Sequence, residues 1–191
     1  LNIKIANYIR DELKNYTTPN GKDIIVKFTY NNPENGHIYL LNRVKYAKNE
    51  GADFLISLHN NASVLHHDKG STVLVTSSHY GKMDTGESIY DAEERLANLV
   101  LDKLSDLGLK NNGLLRKYCT DDERYPNGDL ADWYSIICFS MMSEMPSILI
   151  EHAHMDYKTD YYSYLSTDEQ LQKLAVADTL ALVDFYGLVK K

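Results

Sequence analysis

Several absences narrow the reading before any motif is considered. Only two cysteines, Cys119 and Cys138, occur among 191 residues, and their separation has no metal-ligand pattern, so a cysteine-built metal site is not expected. They could form one disulfide or remain two thiols, and the redox compartment stays open. No apolar run reaches 18 residues, so no segment is expected to span a membrane as a helix. Positive charge is also scarce, with 20 Lys and Arg against 27 Asp and Glu and a net charge of −7. Nucleic acid and anionic membranes reward a basic surface, so neither is expected as the main partner. The opening stretch LNIKIANYIRDELKNY breaks its apolar positions with charges, which suits an amphipathic helix. A secretory signal is therefore expected upstream or not at all. No serine or cysteine sits in a nucleophile-elbow context, which weakens the case for a metal-free α/β hydrolase.

What is present is a globular α/β pattern. Apolar residues make up 43% of the chain, enough for one well-packed domain. Residues 1–15 place Ile3, Ile5, Ala6, Ile9 and Leu13 near helical spacing. Asp23–Tyr30 reads as a strand, followed by a loop at Asn31–Pro33 and Asn35-Gly36, then a helix over Ile38–Asn49 ended by Gly51. Asp53–Leu58 is short and almost wholly apolar, as in a strand buried on both faces, and Ser71–Thr76 is a second β-branched strand. Gly86–Leu107 carries an amphipathic helical stripe stopped by Gly108. Leu114–Tyr118 and Tyr134–Phe139 are candidate short strands around a loop at Pro126–Gly128. Ser147–Glu151 is a core strand after Pro146, and Ser166 with Glu169 forms a capping box for a last helix. The expected fold is α/β, one domain over residues 1–191, with a mainly parallel twisted sheet and helices packed on both faces.

Two of these strands run apolar and then end on a ligand or acid. Asp53–Leu58 is followed by His59-Asn60-Asn61, and Ser147–Ile150 by Glu151-His152-Ala153-His154. In open α/β sheets the site lies beyond the carboxyl ends of the strands. A polar side chain there costs core stability unless something partners it, which makes a shared function attractive. Either residue alone could equally be a solvated strand-end group.

The stretch from Leu40 to Ser63 resembles a motif of the zinc-dependent N-acetylmuramoyl-L-alanine amidases, the type-3 amidase family. The matching residues are Leu40 or Leu41, Arg43, Ala47, Lys48 or Asn49, Gly51, Ala52, Asp53, Ile56, Ser57, His59, Asn61 and Ala62. Gly70–Val75 resembles the family's glycine-led strand. Pro146–Glu151 resembles its "P-x-V-L-V-E" segment, with Asp156 or Asp160 at the place of a following aspartate. The order of motifs agrees from residue 1 to about Tyr186. The resemblance implies a peptidoglycan hydrolase of the cell wall or extracellular space, either an endolysin or a remodelling enzyme, with a wall-binding domain possible outside this sequence. It implies zinc as cofactor, with His59 as the second histidine ligand and Glu151 as the catalytic glutamate, which is not a ligand. Such chemistry is coherent, because zinc polarises an amide carbonyl and a neighbouring carboxylate moves the proton. Asn61, within the matched stretch, and Arg116, which falls where the family often has a basic residue near the substrate cleft, are the candidate substrate contacts, and Arg116 could equally be a solvated arginine.

The resemblance also implies a first histidine and a glutamate ligand before the helix that opens at Leu1, and neither is in the sequence. Substitute imidazoles are His66, His67, His152 and His154, with at most one of the last two expected to face the site. Each reads more simply as a surface or loop side chain, and His37 and His79 more so, since they sit in loops with no matching motif. Asp121-Asp122-Glu123 reads as a solvated loop, and Trp133 with Tyr134 as either core or a sugar platform. The competing reading is a catalytically dead peptidoglycan-binding or regulatory module of the same fold.

Overall fold

The structure, a computed structural model, describes residues 1–30 and 38–191; the loop expected around Asn31–Gly36 and His37 lie outside the described residues. Elements follow in the order α1 (Asn2–Leu13), β1 (Tyr16–Thr17), α2 (Leu40–Asn49), β2 (Leu55–Asn61), β3 (Ser71–Leu74), α3 (Ile89–Asp106), β4 (Asn111–Leu115), α4 (Ser135–Met142), β5 (Ser147–His154), a short α5 (Lys158–Asp160) running into a π-helical turn (Tyr161–Leu165), α6 (Asp168–Tyr186) and β6 (Val189–Lys190). Strands β1 and β6 form a small antiparallel pair.

The main sheet has the order β2-β5-β3-β4. β2 pairs with β5 and β3 with β4 in parallel, while β3 meets β5 antiparallel. The sheet is thus mixed and mostly parallel. Strand alternation divides the core between its two faces. Val73, Ile148 and Ile150 join Ile5, Ile9, Leu96, Leu104, Leu171 and Leu174, under α1, α3 and α6. Leu55, Leu74 and Leu149 join Val44, Ala47, Ile136 and Ile137, under α2 and α4. Helices therefore cover both faces, as the apolar runs of β2 and β5 require.

Three local expectations are corrected. Asp23–Tyr30 forms no strand; its one ladder contact is an isolated bridge from Asp23 to Thr17. Ile24 and Val26 pack on the core while Ile25 is 77% exposed, so the run alternates but finds no neighbouring strand. Tyr134–Phe139 is not a strand, because Ser135–Met142 is helix α4. The cap of α6 is Thr167 with Gln170 in a complete capping box, one residue beyond Ser166 and Glu169. The other expected helices and strands lie where the pattern places them, within a few residues at their ends, while β1, β6, α5 and the π-helical turn carried no expectation.

At the end of the sheet where β5 begins, a buried polar network replaces ladder bonds. Glu93 of α3 is 1% exposed and accepts from the Thr76 and Ser147 amides, each at 2.7–2.8 Å. It ties the chain leaving β3 to the chain entering β5. Asp132 accepts from the hydroxyls of Thr76, Ser77 and Tyr125 and from the Ser77 amide. Burial pushes the Glu93 carboxyl up to about 8, against the pull of its two amide donors. A carboxyl raised in the fold binds its proton more tightly there than in the unfolded chain. Its stabilising effect is present below about pH 4.5 and is lost as pH rises towards 8. Glu93→Gln cannot ionise but turns one donor towards an amide, so it should lower stability by about 1–3 kcal/mol at pH 5. That deficit should shrink by pH 8, as read from denaturant midpoints at the two pH values. An equal deficit at both would contradict this account of Glu93.

Candidate active site

The carboxyl ends of β2 and β5 lie side by side, and their parallel register pairs His59 with Glu151. Register partners in adjacent strands project to the same face. The apolar alternation assigns that face: Leu55, Ser57 and His59 share the side of α2 and α4, as do Leu149 and Glu151. Thr72 of β3 is the antiparallel partner of Glu151 and adds a third side chain there.

The pairing slips by one residue beyond this point, so that Asn61 stands opposite His154. The extra residue lies in β5. In a regular strand His152 and His154 would share the face opposite Glu151. The bulge instead turns His152 and Ala153 together into the core under α6, and returns His154 to the side of Glu151. Glu151 and His154 therefore belong to one cleft, and His152 is excluded from it.

Glu151 is only partly buried, yet its Oε2 is sealed from solvent and has no hydrogen-bond partner among the described residues. Desolvation pushes its pKa up to about 7, with the neighbouring His152 pulling the other way. The ring of His59 is open to solvent, and its Nε2 lies 3.1 Å from the Ser57 hydroxyl. Partial burial, then the positive charges of Arg43 and His152, lower its pKa. It is thus held as a neutral imidazole, the form that can bind a metal or accept a proton.

Loop 62–70 borders the cleft and hangs from two aspartates. Asp156 accepts from the Ser63 amide at 2.9 Å and approaches His66 Nδ1 at 2.8 Å. Asp160, 4% exposed, accepts from the amides of Gly70 and His154. Both aspartates that follow the Glu151 motif are accordingly in use, as braces for the loop. Asn61 has its side-chain oxygen on the Ala62 amide and its backbone oxygen on the Met155 amide.

Arg116 does not join this cleft. Because β3 runs against β5, the chain beyond Leu74 and Leu115 reaches the opposite end of the sheet. There the guanidinium donates to the Thr76 carbonyl, pairs with Glu94 and stacks 3.8 Å from the Tyr90 ring centroid. It lines a separate cavity of about 430 Å³ with His79, Tyr118 and Asp129. Trp133 lies at that end too, 45% exposed under Lys117, while Tyr134 packs into the core. Cys119 and Cys138 are both free thiols.

Among the described residues, no group of three His, Cys, Asp or Glu side chains is arranged to hold a metal ion. His59 is the single implied ligand present, and His66 is turned to Asp156 and His152 to α6. The described residues therefore do not assemble the centre that the resemblance implies.

The pairing of His152 with Asp178 behind the cleft carried no signal in the sequence. His152 is 0% exposed and lies between two acceptors: Nδ1 donates to the His59 carbonyl at 3.0 Å and Nε2 to Asp178 at 2.8 Å. Burial opposes its charge, but Asp178 and then the carbonyl outweigh that, so its pKa is raised. The ion pair ties α6 to the strand segment that carries His59. Removing one partner leaves a buried charge alone, so Asp178→Ala should destabilise the fold by about 3–5 kcal/mol. Replacing both by leucine should cost much less. Comparable losses in the single and double variants, by denaturant unfolding, would show the pair is not coupled.

The catalytic domain of the amidase CwlV from Bacillus (Paenibacillus) polymyxa superposes with TM-score 0.67 at 17% identity, over 96% of this chain and 81% of that one. An N-acetylmuramoyl-L-alanine amidase from Clostridium difficile 630 gives 0.65 at 19%, over 96% and 80%. The corresponding enzyme of Mycobacterium smegmatis gives 0.64 at 18%, over 96% and 74%. At such identities these likenesses establish the fold. No curated protein sequence matches the chain. A sequence profile described as N-acetylmuramoyl-L-alanine amidase matches residues 1–184, and with that span the chain belongs to the N-acetylmuramoyl-L-alanine amidase family.

Proposed function

We propose that this chain is a peptidoglycan hydrolase domain that cleaves the amide between N-acetylmuramic acid and the L-alanine of the stem peptide, outside the cell or in its wall. The observation that carries the reading is Glu151: a carboxyl at the carboxyl end of a buried strand, beside His59, with an unpartnered buried oxygen and a pKa near 7. A carboxyl poised near neutrality can both take and give a proton. In the reaction, water oxygen attacks the amide carbon, its proton passes to Glu151, and the carbon–nitrogen bond breaks. Glu151 then returns the proton to the departing alanine nitrogen. Asn61, at the rim beside His59, is assigned to contact the substrate, and Arg116 has no part because it lies at the other end of the sheet.

An amide carbonyl also needs polarising, and in the family's chemistry zinc does this. Among the described residues only His59 stands ready as a ligand. That mismatch is the one observation favouring a second reading, a peptidoglycan-binding module that retains the fold without turnover. Metal analysis and product analysis separate the two. The hydrolase reading requires new alanine amino termini when peptidoglycan is treated with the chain, and Glu151→Gln should reduce their release about 10²–10⁴-fold with folding intact. Binding to peptidoglycan with no new amino termini would leave the second reading. Unimpaired release by Glu151→Gln would remove Glu151 from its role.

A further inference from the structure

The mouth of the sheet on the β3–β4 side holds charge that the fold leaves unspent. A cavity of about 330 Å³ is lined there by His67, Lys69, Thr72, Lys110, Asn112 and His154, with Asp68 as its one carboxylate. Its place beside the reacting carboxyl follows from two strands, since Thr72 is the register partner of Glu151 and His154 shares the cleft face through the bulge. Lys69 and Lys110 are both exposed, and neither ammonium has an ion-pair or hydrogen-bond partner among the described residues. In a chain of net charge −7, two neighbouring free cations at the cleft are an uneven distribution.

Their proximity is built into the backbone. Gly70 has φ +90°, and a Cβ added there would sit 2.1 Å from the Lys110 carbonyl oxygen. Only glycine permits so close an approach, and the Ser71 amide then donates to that same oxygen at 2.8 Å. Asp160 clamps the Gly70 amide from below at 2.7 Å. The two lysine-bearing segments are thus held against each other whether or not a ligand is present.

The wall of the cavity supplies a second, independent sign of a ligand. His154 is 5% exposed, its Nδ1 is sealed from solvent without a hydrogen bond, and the nearest carboxylate oxygen, on Asp156, is 3.9 Å away. Among the described residues its ring has no hydrogen-bond partner through either nitrogen. A buried polar group without a partner is costly and calls for an explanation, and His154 lines this cavity.

We infer that this cavity binds a carboxylate of the stem peptide, gripped by Lys69 and Lys110 with His154 at its floor, and so sets which peptidoglycan the domain accepts. The inference rests on the amidase reading for its substrate, and it adds the part of that substrate recognised away from the scissile bond. Peptide carboxylates are the anions that lie on the leaving side of that bond.

Binding by the 191-residue chain, measured calorimetrically at low salt, tests this without requiring turnover. The probes are N-acetylmuramoyl-L-alanyl-D-glutamate and the same compound with both glutamate carboxyls amidated. The double variant Lys69→Ala, Lys110→Ala should bind the acidic probe about tenfold more weakly than the unaltered chain, since two exposed ionic contacts of modest strength are lost. Both proteins should bind the amidated probe equally, and Glu151→Gln should keep the preference for the acidic one. Equal affinity of the double variant for the acidic probe would overturn the inference, as would an equal loss for both probes. Lysine-dependent binding without any peptidoglycan cleavage would uphold the pocket and sink the hydrolase reading. Cleavage with no lysine-dependent preference would do the reverse.

Discussion

Everything at the candidate site depends on the parallel pairing of β2 with β5 in the register that sets His59 beside Glu151. Had the register slipped by one, the apolar sets of one strand would have turned to the wrong core and Glu151 to the face under α6. Apolar layers on both sides forbid that slip, because Ile148 and Ile150 fill one core and Leu149 the other. The bulge that follows adds a third cleft residue, His154, and sends His152 inward to Asp178. That buried pair then fixes the backbone of His59 from behind. Core packing and site geometry are here a single constraint.

The reversal of β3 has the larger consequence for function. Being antiparallel to β5, it brings its first residues, Ser71 and Thr72, to the mouth of the cleft. Its last residues lead to Thr76 at the far end, where Arg116 after β4 and the acid cluster of Glu93 and Asp132 meet it. The sheet consequently has two chemically different ends. One holds the solvent-reached His59, the poised Glu151 and two unpaired lysines. The other holds the second cavity and a satisfied network, in which serine, threonine and tyrosine hydroxyls and backbone amides occupy the carboxylates.

How much of this was legible in the sequence varies with the reach of the interactions. Strands β2 and β5 were plain, because apolar runs ending on polar residues are local signals, and the residues at their ends are those brought together. Helix α3 was equally plain from its stripe. Residues 23–30 carry the same β-branched look as a true strand, but a strand needs a partner, and pairing is a non-local fact. Residues 135–142 are apolar on nearly every side, so helix and strand cannot be told apart by period. The place of Arg116 turned on the direction of β3, which no local pattern encodes. His154 was reachable only as one of two imidazoles, since a single-residue bulge leaves no mark in composition. The lysine pair has no local signature, because Lys69 and Lys110 are 41 positions apart and meet only through the approach at Gly70.

The most direct test of the central claim, that the His59–Glu151 cleft is where substrate acts, is a map of the histidine rings. In a chain labelled at its histidines, nuclear magnetic resonance would follow each ring as N-acetylmuramoyl-L-alanyl peptide is added. His59 and His154 should shift together and saturate at one affinity, while His79, stacked on Tyr90 at the far end of the sheet, stays in place. Movement of His79 with His59 unchanged would put the substrate in the other cavity and contradict the account.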